Sequence, residues 1–349
     1  MPIPATGAPE GAQQLQGYVF RPSDLAVGQR LPGISGFMRI RNGADFLEPT
    51  IRSHIGHFDE IVALYNQCTD DTEAILLRLQ REYGPQRLRV VHYVDRVHPP
   101  GSEGHRHTPA GSPNSLVNYY NAALAATRCR IATKLDDDHL AIDAALAEVT
   151  RALRGLPALD AMWCFSGLNL MRGPQGELGI YAATPVSGSG DIGFFPVRPD
   201  THFVHDRRFE RFQRAGLPRR FVGFLYWHLK YLKAELGFGN YELDANPDSR
   251  YARRRRALAA NAQPLLPLRE LPQRLAPAWW QPLAACVDAK KRLTLERDAA
   301  VATTFPDADA LAALRRTSDA RWVEAALAPR PAATVSPARA APQGTSGPL

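Results

Sequence analysis

The sequence predicts an α/β protein: a Rossmann-like, mostly parallel sheet with helices on both faces, followed by a C-terminal helical appendage and a disordered tail. Three observations predict it. Apolar, β-prone runs at 34–40, 60–65 and 88–94 are separated by segments with helical apolar spacing, and successive βα steps imply parallel strands with right-handed crossovers. A fourth such run, Ile131-Ala132-Thr133-Lys134-Leu135, ends in Asp136-Asp137-Asp138-His139, which places three adjacent carboxylates where a strand leaves the sheet and open α/β sheets bind ligands. With 349 residues, 45% of them hydrophobic, the chain can bury a full-sized core.

Taken in order, residues 1–32 are rich in Gly, Pro, Gln and Ala without periodicity and are expected to be a flexible leader, with one short edge strand at 18–21. The first core strand, 34–40, stops at the turn Arg41-Asn42-Gly43 and yields to a helix through Phe46, Leu47, Ile51 and Ile55. Strand two, 60–65, leads into the polar turn Asn66-Gln67-Cys68-Thr69-Asp70, and Asp70 is placed to cap a helix at 72–83 with Ile75, Leu76 and Leu79 as its apolar stripe. Strand three, 88–94, is followed by a long polar loop at 95–113 carrying His98, His105 and His107, which is expected to overhang the site. A helix at 115–127 carries Tyr119, Tyr120 and Asn121 and leads to the acidic strand, after which helix 142–153 and strand 161–165 continue the fold.

Beyond Gly167 the pattern turns to short strands and turns. Residues 168–197 read as a hairpin-like insertion containing Ser187-Gly188-Ser189-Gly190-Asp191, which lacks the spacing of a P-loop or a dinucleotide fingerprint. Helical patterning is expected again at 221–236, around Tyr226-Trp227-His228-Leu229-Lys230-Tyr231-Leu232-Lys233. The domain is expected to span 33–240, with a basic, helical extension at 241–327 and a disordered tail at 328–349. Five arginines between 250 and 256 make either a solvated helix face or a clamp for phosphates or anionic headgroups.

Charge and cysteine usage narrow the function classes. The net charge of +7 suits an anionic partner, whether nucleotide-sugar, phospholipid surface, lipopolysaccharide or nucleic acid. Cys68, Cys129, Cys164 and Cys286 lie far apart, which fits thiols in a reducing compartment and argues against a zinc site. There is no signal-like N-terminus and no apolar run long enough to span a bilayer, so the expected location is cytoplasmic.

Three adjacent carboxylates repel one another, and a hard divalent cation is their natural partner. Mg²⁺ or Mn²⁺ in such a site is usually shared with substrate phosphates. The plainer alternative is a solvated acidic turn capping the next helix. For His228, beside Trp227 in an apolar segment, the plainer alternative is a satisfied core histidine.

The strand ending in Arg41-Asn42, the turn Thr69-Asp70-Asp71-Thr72, Asn121 and Leu135-Asp136-Asp137-Asp138 together resemble family-2-type glycosyltransferases of the GT-A fold, over roughly residues 33–240. The resemblance implies that Arg41, Asn42, Asn66, Asp70, Asn121, Lys134, Asp136 and Lys230 bind a nucleotide-sugar, with a UDP-sugar first among donors and Asn66 offered to a uracil edge. It also implies that Asp136 and Asp138 hold Mn²⁺ or Mg²⁺ as an Asp-x-Asp pair, and that the late His228 is a third ligand with Lys230 or Lys233 on the diphosphate. The sequence departs from the family in several places. Tyr65-Asn66 stands for an acidic pair, Tyr120-Asn121 for Arg-Asn, and His139 for a frequent third acid. The later acidic pair that holds the base is missing as such, and Asp191 is the expected substitute, with Asp206 and Glu210 as rivals.

The likeness is greatest to bacterial enzymes that build lipopolysaccharide, capsule or related surface glycans, which implies a glycan or lipid-linked acceptor, an inverting reaction and peripheral association with the inner membrane. Two other functions compete. A nucleotidyltransferase or metal-dependent phosphohydrolase also uses Asp clusters, but is expected to carry a Gly-rich loop with Lys or Arg after strand one, where this chain has Gly43-Ala44-Asp45. A non-catalytic nucleic-acid-binding protein would draw on Arg253 to Arg256, but the basic residues are not interleaved with aromatics in a recognised module, and nucleic acid is not an expected partner.

Overall fold

The computed structural model describes residues 11–188, 190, 192–205, 210–243, 247–260 and 265–328. Its strands are β1 (Gln13–Leu15), β2 (Leu31–Ile40), β3 (Glu60–Tyr65), β4 (Leu88–Tyr93), β5 (Cys129–Lys134), β6 (His139–Ala141), β7 (Met162–Arg172), β8 (Leu178–Tyr181), β9 (Val186–Ser187), β10 (Gly193–Pro196), β11 (His202–His205), β12 (Glu210–Gln213), β13 (Arg219–Tyr231) and β14 (Leu265–Leu266). The main sheet runs β1-β4-β3-β2-β5-β10-β7-β13-β6, with β8, β9 and β14 added on the β7 side. From β1 to β5 every pairing is parallel, as the βα rhythm requires. Beyond β5 the strand β10 enters antiparallel, β7 and β13 pair in parallel, and β6 closes the edge antiparallel to β13.

Helices cover both faces. On one, α1 (Leu47–Ile55), α2 (Thr72–Tyr83) and α5 (Asp143–Gly155) bury Ile51, Leu76, Leu79, Leu146 and Leu153 against Ile34, Met38, Ile61 and Val90. On the other, after the short α3 (Glu103–His107), α4 (Leu116–Ala125) packs Tyr119, Ala122 and Ala123 against Phe37, Val62, Val91 and Ala132. The central strands are apolar at consecutive positions because both faces are covered, and β3 is buried at all six of its residues.

The structure corrects several expectations. Residues 221–236 are not a helix, since Arg219–Tyr231 form the long strand β13. Phe221, Val222, Phe224, Tyr226, Trp227 and Tyr231 have strand propensity, and the period-2 signal is absent because β13 is covered on both faces and its register with β7 shifts at three points. The edge strand lies at Gln13–Leu15 rather than 18–21. Much of the expected leader is held in place: β1 pairs with β4, the Phe20 amide donates to Asn118 Oδ1 at 2.8 Å, and Leu25 is fully buried. None of the four cysteines is in a disulfide.

The C-terminal helices pack on the sheet. After α6 (Arg250–Ala260) come α7 (Leu271–Arg274), α8 (Gln281–Val287), α9 (Ala289–Thr304), α10 (Ala310–Thr317) and α11 (Ala320–Leu327). Leu271, Val301, Phe305, Ala313, Leu314 and Val323 share one core with Phe46, Leu140, Leu168, Leu170, Phe224, Trp227 and Leu229. Two polar contacts fix that layer. Trp227 Nε1 donates to Thr317 Oγ1 at 2.9 Å, and Ser318 Oγ donates to the Ala141 carbonyl at 2.6 Å.

Candidate metal centre

Strand register builds the centre. β13 lies between β6 and β7, and His228 is level with His139 on the first and Asn169 on the second. Tyr226, two residues earlier and so on the same face, stacks its ring on His139 with centroids 3.7 Å apart, and its hydroxyl donates to Ser187 Oγ at 2.9 Å. The turn from β5 to β6 carries Asp136, Asp137 and Asp138 across the end of β13, and the Leu229 amide donates to the Asp138 carbonyl at 2.8 Å.

One donor atom each from Asp138, His139 and His228 lie within 4.8 Å of one another. Asn169 sets the tautomer of His228. Its Nδ2 donates to the Thr184 carbonyl at 2.6 Å, which turns Oδ1 toward His228 Nδ1, also at 2.6 Å. Nδ1 therefore carries a proton, and Nε2 faces Asp138 Oδ1 at 3.3 Å. Asp138 Oδ1 and His139 Nε2 are both buried with no hydrogen-bond partner among the described residues. Buried polar atoms left in this state cost about 1–3 kcal/mol each. A divalent cation would take all these lone pairs at once, and a carboxylate with two imidazoles is a donor set that transition-metal ions such as Mn²⁺ accept more readily than oxygen-seeking Mg²⁺.

Lysines balance the carboxylates. Lys134 Nζ is 2.9 Å from Asp136 Oδ2, while Lys233 Nζ is 3.0 Å from both Asp137 Oδ1 and Asp138 Oδ2. Burial pushes the Asp138 carboxyl up, but Lys233 and then His228 outweigh it and hold Asp138 well below the usual carboxylate range. Asp136 is likewise held low against its burial, by Lys134 and His139. Asp137 goes the other way: burial raises it, Lys233 offsets this in part, and Asp138 adds to the rise. Burial brings His139 down to about 3, more than Asp136 can restore. The imidazole is neutral near pH 7, the form that binds a metal.

The turns after β2 and β3 are tied together beside the acids. Asn42, at φ 48°, accepts from the Thr69 amide at 2.8 Å through Oδ1. Asp70 accepts from the Ala44 amide at 2.9 Å and the Thr72 amide at 3.1 Å, and Thr72 Oγ1 accepts from the Gly43 amide at 2.8 Å. A β-carbon on Gly43 would stand 2.5 Å from Asp137 Oδ2, so glycine is what lets the acidic turn approach. Arg41 Nε is buried without a hydrogen-bond partner among the described residues, and the Arg41 carbonyl accepts from Asn240 Nδ2.

Two predicted binding residues are engaged with backbone. Asn66 Nδ2 donates to the Tyr93 and Asp95 carbonyls at 2.7 and 2.8 Å, while its Oδ1 accepts from the Val97 amide at 3.2 Å. Asn121 exchanges hydrogen bonds with the Phe203 backbone at 2.8 and 2.9 Å. Both amides clamp backbone. Lys134 and Lys230 do border the centre: Lys230 Nζ lies 5.0 Å from the Phe238 ring centroid and 5.2 Å from that of Tyr241, and burial lowers its pKa. Asp136 stands beside the three donors, its Oδ2 3.8 Å from His139 Nε2. Asp191 and its rival Asp206 lie outside the described residues.

Sequence reasoning missed three contributors. His139 was visible only as a departure from an acidic pattern. Asn169 carried a signal, a lone amide between Leu168 and Leu170 in an apolar strand, where a buried polar group needs a partner. The third is Arg39, whose guanidinium carbon lies 3.7 Å from the Tyr120 ring centroid and whose Nη2 donates to the Tyr120 hydroxyl. Tyr120 in turn bonds Glu210, whose Oε2 is buried and has no hydrogen-bond partner among the described residues. Burial works against the charge on Arg39, but Tyr120, Glu210 and Asp136 together keep it protonated.

No family model and no curated protein matches the chain. Among solved structures it is similar to glucosyl-3-phosphoglycerate synthase from Mycobacterium tuberculosis, in complex with Mn²⁺, UDP-glucose and phosphoglyceric acid, at 20% identity over 48% of this chain and 54% of that one, with a TM-score of 0.26. The same enzyme with Mg²⁺ and UDP matches at 20% identity over 46% and 51%, with a TM-score of 0.24. The chain thus spans about half the length of these two structures. A mannosyltransferase from Pyrobaculum calidifontis, in complex with GDP-mannose and Mn²⁺, is similar at 15% identity over 84% of this chain and 78% of that one, with a TM-score of 0.29.

Proposed function

We propose that the chain is a metal-dependent glycosyltransferase that moves a sugar from a nucleotide-sugar to a glycan or glycolipid acceptor, with inversion, on the cytoplasmic side of a bacterial membrane where surface polysaccharide is built. The observation that carries this reading is the donor set of Asp138, His139 and His228, in which Asp138 Oδ1 and His139 Nε2 are buried without a hydrogen-bond partner among the described residues and His228 is held by Asn169. Those three residues would hold Mn²⁺ or Mg²⁺, with Asp136 beside them. When bound, the metal supplies positive charge against the charge that gathers on the departing nucleoside diphosphate.

The chain's own residues do the rest. Lys134, Lys230 and Arg39 bring positive charge to the mouth of the centre, where phosphate oxygens would lie. The Arg41–Ala44 and Thr69–Thr72 turns, tied together, form the floor on which the nucleoside would rest. A carboxylate then takes the acceptor hydroxyl proton as that oxygen attacks the anomeric carbon on the face opposite the bond to diphosphate, which breaks and leaves the configuration inverted. Asp191 is our assignment for that base. Glu210 is the second reading, favoured by its buried Oε2, which has no hydrogen-bond partner among the described residues, beside the Arg39–Tyr120 pair.

The test is a screen of UDP- and GDP-sugars for binding and slow hydrolysis with Mn²⁺, with Mg²⁺ and with chelator. Metal-stimulated release of nucleoside diphosphate from one donor is expected. Cleavage within the diphosphate itself would favour a phosphohydrolase, and no binding of any nucleotide-sugar would end the proposal.

A further inference from the structure

Half of the large hydrophobic side chains that the described residues expose lie within one nine-residue stretch. Trp279, Trp280, Leu283 and Val287 are 83%, 46%, 67% and 90% exposed, and the other four are scattered singly between Val19 and Leu156. Isolated exposed apolar residues need no explanation, whereas a contiguous set does. α8 faces inward through Ala285 and outward through Leu283 and Val287, four residues apart on one side, with the two tryptophans at its N-terminal end. This is an apolar ridge on the surface, not a core helix.

The chain beside the ridge is basic. α9 opens with Lys290, Lys291 and Arg292, and Lys291 Nζ lies 5.5 Å from the Trp280 ring centroid. Cations in the first turn of a helix oppose the positive end of its dipole, at about 0.3–1 kcal/mol each. Asp288 caps that end by accepting from the Lys290 and Lys291 amides at 2.8 and 3.1 Å, yet three cations still crowd it. Local stability does not account for them, whereas an anionic surface would. Tryptophan belongs at a bilayer boundary, since its ring is amphipathic, and Lys and Arg extend from apolar stems to lipid phosphates.

We propose that residues 279–292 form a docking site for an anionic lipid bilayer. Trp279, Trp280, Leu283 and Val287 enter the boundary between headgroups and acyl chains, and Lys290, Lys291 and Arg292 meet the lipid phosphates. The site extends the membrane-facing part of the proposed function, but does not depend on donor chemistry.

Its test is co-sedimentation of the full chain with vesicles of phosphatidylcholine alone and of phosphatidylcholine mixed with phosphatidylglycerol, with tryptophan emission recorded. Binding to the mixed vesicles, weakened by salt and accompanied by a blue shift, is expected. Trp279→Ser with Leu283→Ser should lower the partition coefficient at least about tenfold, given the apolar area removed. Lys290→Glu with Lys291→Glu should abolish the preference for the anionic mixture. All four positions are exposed, so an unchanged thermal midpoint shows that the fold survives, and unchanged nucleotide-sugar binding in free solution separates this result from any failure of the donor reading. Equal partitioning of variant and parent, or no binding to either vesicle, overturns the proposal. So does a concentration-dependent dimer that the serine variant dissolves, because the ridge would then face a second copy of the chain.

Discussion

Asn169 fixes the proton of His228. Its Oδ1 lies 2.6 Å from Nδ1, which leaves Nε2 facing the carboxylate of Asp138 at 3.3 Å. With Nδ1 engaged by Asn169, Nε2 is the atom left to meet an ion beside Asp138. The first prediction follows from this pair. Asn169→Leu should weaken Mn²⁺ binding about 10- to 100-fold, the usual consequence of removing the partner that orients a histidine ligand. Mn²⁺ titration followed by electron paramagnetic resonance measures it, and an unchanged affinity would remove Asn169 from the site.

Asp138→Asn keeps the shape of the side chain and removes the charge, while Lys233 retains Asp137 as a partner. The thermal midpoint should stay nearly unchanged and metal-stimulated nucleotide-sugar turnover should vanish. Asp137→Asn should be the milder change, because Asp137 lies outside the donor set and burial already favours its neutral form. Equal losses in the two variants would mean that the acidic turn is structural.

Lys233→Met leaves two buried carboxylates without their cation. Breaking a buried pair from one side destabilises by about 3–5 kcal/mol. Urea unfolding should show a loss of that order in chelator and recovery of part of it in Mn²⁺, since the ion would bring back positive charge beside Asp138. Loss without any metal rescue would argue that no ion reaches the cluster.

His54 makes a separate prediction about acid stability. It is buried, with Nδ1 2.8 Å from the Thr50 carbonyl, and burial brings its pKa down to about 4. Its folded value thus lies below the unfolded value near 6.5, so the unfolded chain takes up the proton first as the pH falls. The stability this group contributes is complete above pH 6.5 and is lost as pH falls toward 4, by about 3 kcal/mol in all. Urea midpoints between pH 7.5 and 4.5 should fall more steeply for the parent than for His54→Gln. Parallel curves would show that His54 is not held neutral.

Much of the parallel half was legible because its signals are local. Ile34 to Ile40, Glu60 to Tyr65 and their helices each carry their own periodicity, and turn residues such as Asn42 and Asp70 mark the boundaries. The other half depends on strands brought together from far apart in the chain. His228 looked helical because β13 is covered on both faces and shows no alternation, and its partners Asn169 and His139 are set by register that no spacing rule encodes. Asp138 could be found from its position at a strand end. The lysine that neutralises it, Lys233, comes from a turn 95 residues later and could be found only as one of two alternatives.

Ser318 and Thr317 give the C-terminal helices a bearing on synthesis. They hold the Ala141 carbonyl and the Trp227 indole, and so secure the edge strand that begins at His139 and the strand that carries His228. A growing chain emerges N-terminal end first, at about 5–20 residues per second. The parallel half can therefore assemble on the ribosome well before the last helices are made, while β6 still lacks the layer that covers it. On this order of events the turns after β2 and β3 form before the strands that carry His139 and His228 are secured, and those strands are the last part of the centre to set.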